Sequence, residues 1–217
     1  MSPARIRRWW YASKKSIPAV NIEIEREDGS CSILKVDLLT AERVLRSSSN
    51  ELSTDDMHVL ESNHRLLQLI ERIKRFLSYR PRSSGEVVKK LHRLGCSEQD
   101  IRNVVEYLTQ SHYLSDEQYA RSFVRDCVRL RMLSAKAIRY KLLARGIPKD
   151  IAERAIAAEY PDDDMERAKI AAQKTLRRVQ SCPREKQYRR VRDALLRLGY
   201  SSTTVRQVLT EMFDTSS

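Results

Sequence analysis

Hydrophobic positions recur every three or four residues from Ser62 onward, and this period predicts a succession of helices. Each stripe places its apolar side chains on one face of a helix, where neighbouring helices can bury them. The stripes are Leu66, Leu69, Ile70, Ile73 and Leu77; Val87, Val88, Leu91 and Leu94; Ile101, Val104, Val105 and Leu108; Tyr119, Phe123, Cys127 and Leu130; Ile138 and Leu142; and Ile151, Ala155 and Ile156.

The stretch 20–36 has a period of two instead, which is typical of strands. The apolar residues lie on both sides of Asp28-Gly29, a dipeptide that favours a tight turn. This pattern predicts a β-hairpin, and it is the only strand signal in the sequence. The apolar positions are Val20, Ile22, Ile24, Ile33, Leu34 and Val36.

The pattern becomes helical again at Leu38. The polar stretch 46–56 then predicts a loop, because it offers no apolar face to bury. Ser53 or Thr54 is expected to cap the helix that follows, since both side chains can accept a hydrogen bond from a free backbone N–H.

Three of the five glycines are regularly spaced, because Gly95, Gly146 and Gly199 lie 51 and 53 residues apart. Glycine commonly follows the end of a helix with a positive φ, so each is expected to close the second helix of a three-helix copy. The matched positions are Leu91, Leu142 and Leu195 four residues before each glycine, Val87, Ile138 and Val191 eight before, Ser83, Ser134 and Gln187 twelve before, and Arg80, Arg131 and Arg184 fifteen before.

These signals together predict a mainly α fold of tandem three-helix repeats, three copies in an elongated array, behind a short N-terminal segment with a β-hairpin. The first helices of the copies are expected at 62–78, 115–130 and 164–179, with Ser97 and Ser201 capping third helices. The expected parts are a basic arm at 1–16, a hairpin and helix segment at 17–61, and copies at 62–112, 113–161 and 162–217.

The N-terminal arm has five basic residues and no acidic residue, which is typical of a flexible tail. Trp9, Trp10 and Tyr11 interrupt it. Large aromatic side chains are usually buried, so we expect them to dock on the body of the protein; stacking on a nucleic-acid base is the alternative.

Charge indicates the kind of partner. The chain of 217 residues has a formal net charge of +12 and an isoelectric point of about 9.7. Seven basic residues and no acidic residue lie between Arg129 and Lys149, and similar runs at 72–93 and 174–197 recur with the repeat. Basic runs in phase favour a polyanion-binding surface, although a solvated helix face is the ordinary alternative. The candidate binding residues are Arg129, Arg131, Lys136, Arg139, Lys141, Arg145, Lys89, Lys90, Arg189 and Arg190.

The sequence contains no catalytic constellation, so we expect a protein that is not an enzyme and has no cofactor. No phosphate-cradling glycine loop is present, and the four histidines lack metal-binding spacing. The four cysteines are far apart, which favours reduced thiols over a disulfide or zinc site. The aspartates at 162–164 are expected at a helix N-terminus. Without a membrane-length apolar run or a signal-type core, a cytoplasmic monomer is expected.

The stretch YLSDEQYARSFVRDCVRLRMLSAKAIRYKLLARGIPKDIAERAI, residues 113–156, closely resembles the bacterial RecX family. RPRSSGEVVKKLHRLGCSEQDIRNVVEYL resembles the family's preceding repeat, and the hairpin and third copy match more loosely. The motif residues that carry over are Tyr113, Leu114, Asp116, Tyr119, Ala120, Phe123, Ser134, Ile138, Leu142, Gly146 and Ile147. Gln187 and the aromatic basic arm depart from the family pattern.

The resemblance implies a regulator of the RecA recombinase, typically a negative one. It implies binding to RecA and to the RecA–DNA filament, and restraint of ATPase, strand-exchange and co-protease activities. The basic second-helix faces would then bind in the filament groove, and charge reversal at Arg139 and Lys141 is expected to abolish inhibition. The alternatives are a basic helical protein that binds DNA on its own and a scaffold without affinity for either.

Overall fold

The computed structural model describes residues 4–13, 18–47, 51–161 and 163–213. The chain divides into two compact units, and each unit has most of its contacts within itself. The first comprises residues 1–81 and 90–113, and the second comprises residues 82–89 and 114–217. The helix Ser84–Arg93 is divided between the units, because residues 84–89 belong to the second unit and residues 90–93 belong to the first.

A four-stranded antiparallel sheet lies at the start of the first unit, in the order β3-β2-β1-β4. The predicted hairpin is confirmed: β2 pairs with β3 around the turn at Gly29, whose φ is +76°. The buried face of the sheet shares one core with Val44 and Leu60 of the two helices that follow. The strands are β1 (Ala4–Tyr11), β2 (Ala19–Glu25), β3 (Cys31–Asp37) and β4 (Glu51–Leu52).

The prediction of a flexible arm is wrong for residues 4–11, which form β1 and pair with β2. Ala4 and Ile6 are buried in the sheet core. The predicted docking of the aromatic residues is also wrong, because Trp9, Trp10 and Tyr11 are 47%, 37% and 71% exposed. Their backbone belongs to strand β1, and their side chains remain partly exposed. Residues 1–3 and 14–16 of the predicted arm lie outside the described part of the chain.

The predicted loop at 46–56 is shorter than expected, since helix α1 (Leu38–Ser47) and β4 take part of it. Helix α2 (Thr54–Ser78) also begins eight residues before the predicted start. The reason is a capping box: Ser53 accepts a hydrogen bond from the Asp56 N–H, and the Asp56 side chain accepts one from the Ser53 N–H. Ser53 is thus confirmed as a cap.

The remaining helices follow the predicted repeat. Ser97 and Ser201 accept hydrogen bonds from N–H groups three residues later, which confirms both as caps. Asp163 likewise accepts a hydrogen bond from the Glu166 N–H at the start of the helix that begins at Asp164, as predicted, and Asp162 lies outside the described residues. The helices are α3 (Ser84–Arg93), α4 (Glu98–Gln110), α5 (Asp116–Asp126), α6 (Ala135–Ala144), α7 (Lys149–Glu159), α8 (Asp164–Arg177), α9 (Arg184–Arg197) and α10 (Ser202–Phe213).

The second copy contains a local departure from α-helical geometry. Cys127–Arg131 is a π-helical segment that continues α5, and it ends at Met132 with φ +52°. The prediction of a helix over 115–130 is therefore correct in extent but not in type. Met132 turns the chain towards α6 and packs against the core of the third copy.

The glycine prediction is confirmed, because Gly95, Gly146 and Gly199 have φ of +73°, +79° and +88°. Each follows the second helix of its copy, where a side chain would be strained. Helix α9 differs from α3 and α6 by starting earlier. Gln187 consequently lies in its first turn instead of before it, and its amide donates hydrogen bonds to the carbonyls of Gln180 and Cys182.

Candidate functional site

Two buried serines connect consecutive copies. Ser83 accepts a hydrogen bond from the Glu86 N–H in α3 and donates one to the carbonyl of Arg145, 2.7 Å away. Ser134 does the same in α6 and donates to the carbonyl of Gly199 at 2.6 Å. All these atoms belong to the second unit. We call this arrangement the serine–glycine joint, since each serine meets the glycine turn of the next copy.

The joint requires glycine because backbones meet closely there. A Cβ on Gly146 would lie 2.8 Å from the Cα of Gly85, and one on Gly199 would lie 2.6 Å from the Cβ of Ala137. Each joint places a helix N-terminus against the last carbonyls of the next second helix. The free carbonyls receive donors, and the helix dipoles align head to tail.

Basic side chains gather at the joint between α3 and α6. The Lys89 ammonium donates a hydrogen bond to the carbonyl of Ala144 at 3.1 Å, and the Arg145 guanidinium lies 4.5 Å from the centre of the Phe123 ring. Burial raises the pKa of the Cys127 thiol, and the positive charges of Arg131, Arg145 and Lys141 oppose that shift. We call Lys89, Arg131, Lys141 and Arg145 the joint cluster.

The other candidate residues are not part of this cluster. The guanidinium of Arg139 forms an ion pair with Glu153 on α7, with one N–O distance of 2.9 Å. Their hydrogen bond raises the pKa of Arg139 and lowers the pKa of Glu153. This arginine is therefore largely neutralised by its own protein.

The remaining candidates have varied surroundings. Lys90 belongs to the first unit and lies over the Phe76 ring. Arg190 donates to the Cys182 sulfur at 3.7 Å, and Arg189 is exposed on the same helix. Arg129 and Lys136 are exposed, and neither forms an ion pair within the described ranges.

A groove in the second unit brings the predicted candidate Arg131 together with three cations that were not among the predicted binding residues. It has a volume of about 380 Å³ and lies between the end of the π-helical segment and the last turns of α8 and α9. Its basic side chains are Arg131, Lys174, Arg178 and Arg197, and no carboxylate lines it among the described residues. The basic run at 174–197 was the available signal, but only contacts between copies identify which of its members converge. The apolar lining consists of Leu130, Met132, Ala171, Ala194 and Leu198.

The groove is held by hydrogen bonds between the second and third copies. The Tyr200 hydroxyl donates to the carbonyl of Met132 at 2.9 Å, and the Arg167 guanidinium donates to the carbonyl of Val128 at 3.0 Å. The Ser134 N–H also donates to the carbonyl of Leu198. These bonds fix both ends of the π-helical segment, and Leu130 between them remains 66% exposed.

The described part of the chain has neither a cluster of metal ligands nor a membrane-spanning helix. No group of three or more metal-ligating His, Cys, Asp or Glu residues occurs there. No helix among those residues is both long enough and apolar enough to cross a bilayer.

Comparisons with protein families connect this architecture to known proteins. Three family models match, described as the first, second and third three-helix domains of RecX. They match residues 71–108, 115–156 and 162–209 respectively. The matches follow the three helical copies along the chain.

Individual relatives share this similarity. A Regulatory protein RecX from Prosthecochloris aestuarii is 33% identical over 137 residues, which are 63% of this chain and 88% of that protein. One from Staphylococcus carnosus is 31% identical over 134 residues, or 62% of this chain. The match spans 50% of the Staphylococcus carnosus protein and, for the Limosilactobacillus reuteri relative, 61%.

Solved structures give the same picture of the fold. A crystal structure titled regulatory protein RecX has a TM-score of 0.71 at 23% identity, covering 98% of this chain and 100% of its own. RecX from Lactobacillus salivarius has a TM-score of 0.56 at 26% identity, covering 68% of this chain and 96% of its own.

Proposed function

This chain belongs to the RecX family of regulatory proteins, and on that basis we propose that it regulates the RecA recombinase. In this proposal it binds RecA and the RecA filament on DNA, and it restrains ATPase, strand-exchange and co-protease activity. The observation that carries the proposal is the joint cluster: Lys89 of the first copy reaches the carbonyl of Ala144, and the charges of Arg131, Lys141 and Arg145 act on the Cys127 thiol of the second copy.

The electrostatics of the cluster support a polyanionic partner. Arg131, Lys141 and Arg145 lie close enough to one buried thiol for all three charges to act on it. Nearby cations strengthen each other's attraction for phosphate or carboxylate groups and speed association at low salt. A filament on DNA offers both kinds of anion, so this surface suits it.

The test is RecA ATPase activity on single-stranded DNA with and without this protein. We expect ATPase activity to fall as the protein is added, and the effect to weaken as salt screens the charges. Unchanged ATPase activity with the unmodified protein would refute the proposal.

Variants locate the effect on the surface. The double substitution Arg131→Glu and Lys141→Glu should abolish the restraint. Lys186→Glu is a control with half of that charge change, because Lys186 is exposed in the first turn of α9, where an acidic side chain is favourable. If the double variant restrains ATPase as well as the unmodified protein does, the joint cluster is not the binding surface.

The alternative function is DNA binding without RecA. The aromatic residues of strand β1 favour it, because the Arg8 guanidinium lies 5.2 Å from the centre of the Trp10 ring, and Trp9 and Tyr11, which contact each other, are 47% and 71% exposed. Bases stack on such aromatic side chains. Tight binding of a DNA duplex or single strand in the absence of RecA, lost in Trp10→Ala, would favour this alternative.

A further inference from the structure

The cations that line this groove have no carboxylate partner among the described residues. Among the described residues, Arg131, Lys174 and Arg178 form no ion pair, and Arg197 donates only to the backbone carbonyl of Asp193. Elsewhere in the second unit, four arginines pair with carboxylates on a neighbouring helix: Arg121, Arg125, Arg139 and Arg154. Four cations converging on one groove without an acid indicate an anionic occupant.

The lining of the groove narrows the choice of occupant. Between the cations lie apolar side chains and no aromatic one, and exposed Leu130 stands at its edge. Proteins that bind single-stranded nucleic acid usually supply aromatic rings on which bases stack. An aliphatic lining instead suits an aliphatic side chain, whose burial supplies affinity that charge alone does not.

We propose that this groove binds an acidic peptide segment of a partner protein, with an aliphatic side chain of that segment against Leu130, Met132 and Leu198. Carboxylates on either side of the aliphatic residue pair with Lys174, Arg178 and Arg197. The volume of about 380 Å³ falls within the range of pockets that enclose side chains or small ligands. The inference rests on the proposed function only in taking the regulated partner to be a protein.

The groove is formed before the peptide arrives. The hydrogen bonds from Tyr200 to Met132 and from Arg167 to Val128 hold its walls on different copies at a fixed separation. A rigid site loses less conformational freedom on binding, so a short segment can bind with useful affinity.

The experiment measures fluorescence anisotropy with the full chain in the absence of RecA. The probe is a short fluorescein-labelled peptide with a leucine pair flanked on both sides by aspartate and glutamate. Two controls carry the same formal charge: a peptide with serines in place of the leucines, and an oligothymidylate. We expect the leucine peptide to bind about tenfold or more tightly than the serine peptide, because burying an aliphatic side chain is worth that much.

Variants test which side chains are responsible. The double substitution Lys174→Glu and Arg178→Glu should weaken leucine-peptide binding about tenfold or more. Arg177→Glu is the control, because it reverses one charge on α8 outside the groove lining, half of the charge change in the double variant, and should alter binding less than about twofold. Leu130→Ser should remove the preference for leucine over serine while leaving the affinity for the serine peptide unchanged. Circular dichroism checks that each variant is folded.

Several outcomes would overturn the inference. They are equal binding of the two peptides, oligothymidylate binding as tightly as the leucine peptide, and equal losses in Arg177→Glu and in the double variant. The RecA assay separates this result from the proposed function. Leucine-peptide binding without any effect on RecA ATPase leaves the groove inference standing and refutes the proposed function, and restrained ATPase without leucine-peptide binding does the reverse.

Discussion

The hydroxyl of Ser134 donates a hydrogen bond to the carbonyl of Gly199, which lies 65 residues further along the chain and 2.6 Å away. The same oxygen accepts a hydrogen bond from the Ala137 N–H. One buried side chain therefore caps its own helix and donates a hydrogen bond to a carbonyl of the next copy. Its loss leaves the Ala137 N–H and the Gly199 carbonyl without this partner.

Substitution of Ser134 by alanine should consequently cost more than the loss of an ordinary cap. We expect Ser134→Ala to lower the free energy of unfolding by about 2–3 kcal/mol, because a cap and a buried acceptor both lose their partner. Ser97→Ala is the matched control, since Ser97 is an exposed cap within one copy, and it should cost about 1 kcal/mol. Urea denaturation measures both values. Equal losses would mean that the contact between copies contributes nothing.

The glycine turns offer a second comparison of the same kind. Gly95→Ala should lower the free energy of unfolding by about 1–2 kcal/mol. The loss comes from the positive φ alone, since a Cβ there would meet no atom within 4 Å. Gly199→Ala has the same backbone penalty and adds a collision with Ala137, so a further 1–3 kcal/mol is expected.

A second substitution checks the origin of that excess. Ala137→Gly should recover part of the stability lost in Gly199→Ala, although by itself it costs about 1 kcal/mol in a helix. Thermal denaturation of the single and double variants gives the coupling energy. A coupling energy of zero would contradict the steric explanation.

Arg139 and Lys141 should respond differently to substitution, although the sequence grouped them. Arg139 is paired with Glu153, and the pair is partly exposed, so Arg139→Gln should change stability by less than about 1 kcal/mol. The same substitution should leave restraint of RecA ATPase unchanged, whereas Lys141→Glu should weaken it. Titration of each variant into the ATPase assay makes the comparison. Equal effects would place Arg139 in the binding surface after all.

The cysteines should differ in reactivity. Burial raises the pKa of Cys127, whereas Cys31 is exposed on β3. Because the thiolate is the nucleophile, iodoacetamide should label Cys31 in the folded protein and label Cys127 only after unfolding. Mass spectrometry of peptides from native and urea-treated protein measures the difference. Rapid native labelling of Cys127 would show that the second copy opens readily.

The same pKa shift has a definite sign in stability. Above about pH 8.5 the Cys127 thiol of the unfolded chain ionises while that of the folded chain keeps its proton. The folded state then binds more protons, so this thiol makes stability fall with rising pH. Cys127→Ala should remove that part of the alkaline loss of stability. Denaturation midpoints at neutral and alkaline pH measure the effect.

The sequence predicted well the features that depend on local geometry. The left-handed turns at Gly95, Gly146 and Gly199, the caps at Ser53 and Ser97, and the hairpin around Gly29 all follow from the backbone preferences of single residues. Strand β1 was not predicted, because its local pattern of apolar residues is weak. Only Ala4 and Ile6 of that strand are buried, so its alternation is too short to recognise among arginines and aromatic residues.

The sequence predicted that the candidate site is basic, but it did not predict which residues form it. The recurrence of Ser83 and Ser134 was visible, but their acceptors lie 62 and 65 residues away, and no local pattern reveals such partners. For the same reason the sequence could not distinguish neutralised Arg139 from Lys174 and Arg178, which converge on Arg131 across two copies. Charge runs identify a region, and tertiary contacts decide which charges are available.

The serine–glycine joint has a donor end and an acceptor end, and it therefore gives the series of copies a direction. Among the residues that the structure describes, the second copy alone carries both ends: its turn at Gly146 receives Ser83, and its own Ser134 reaches the turn at Gly199. In repeat proteins of this kind, stability is approximately a sum of copies and of the contacts between neighbours. A duplicated second copy would not fit between the second and third, because Lys136 stands two residues after Ser134 where Gly85 stands two residues after Ser83. A Cβ at Gly85 would lie 2.4 Å from the carbonyl oxygen of Arg145, so each joint fits only its own pair of copies and fixes their order.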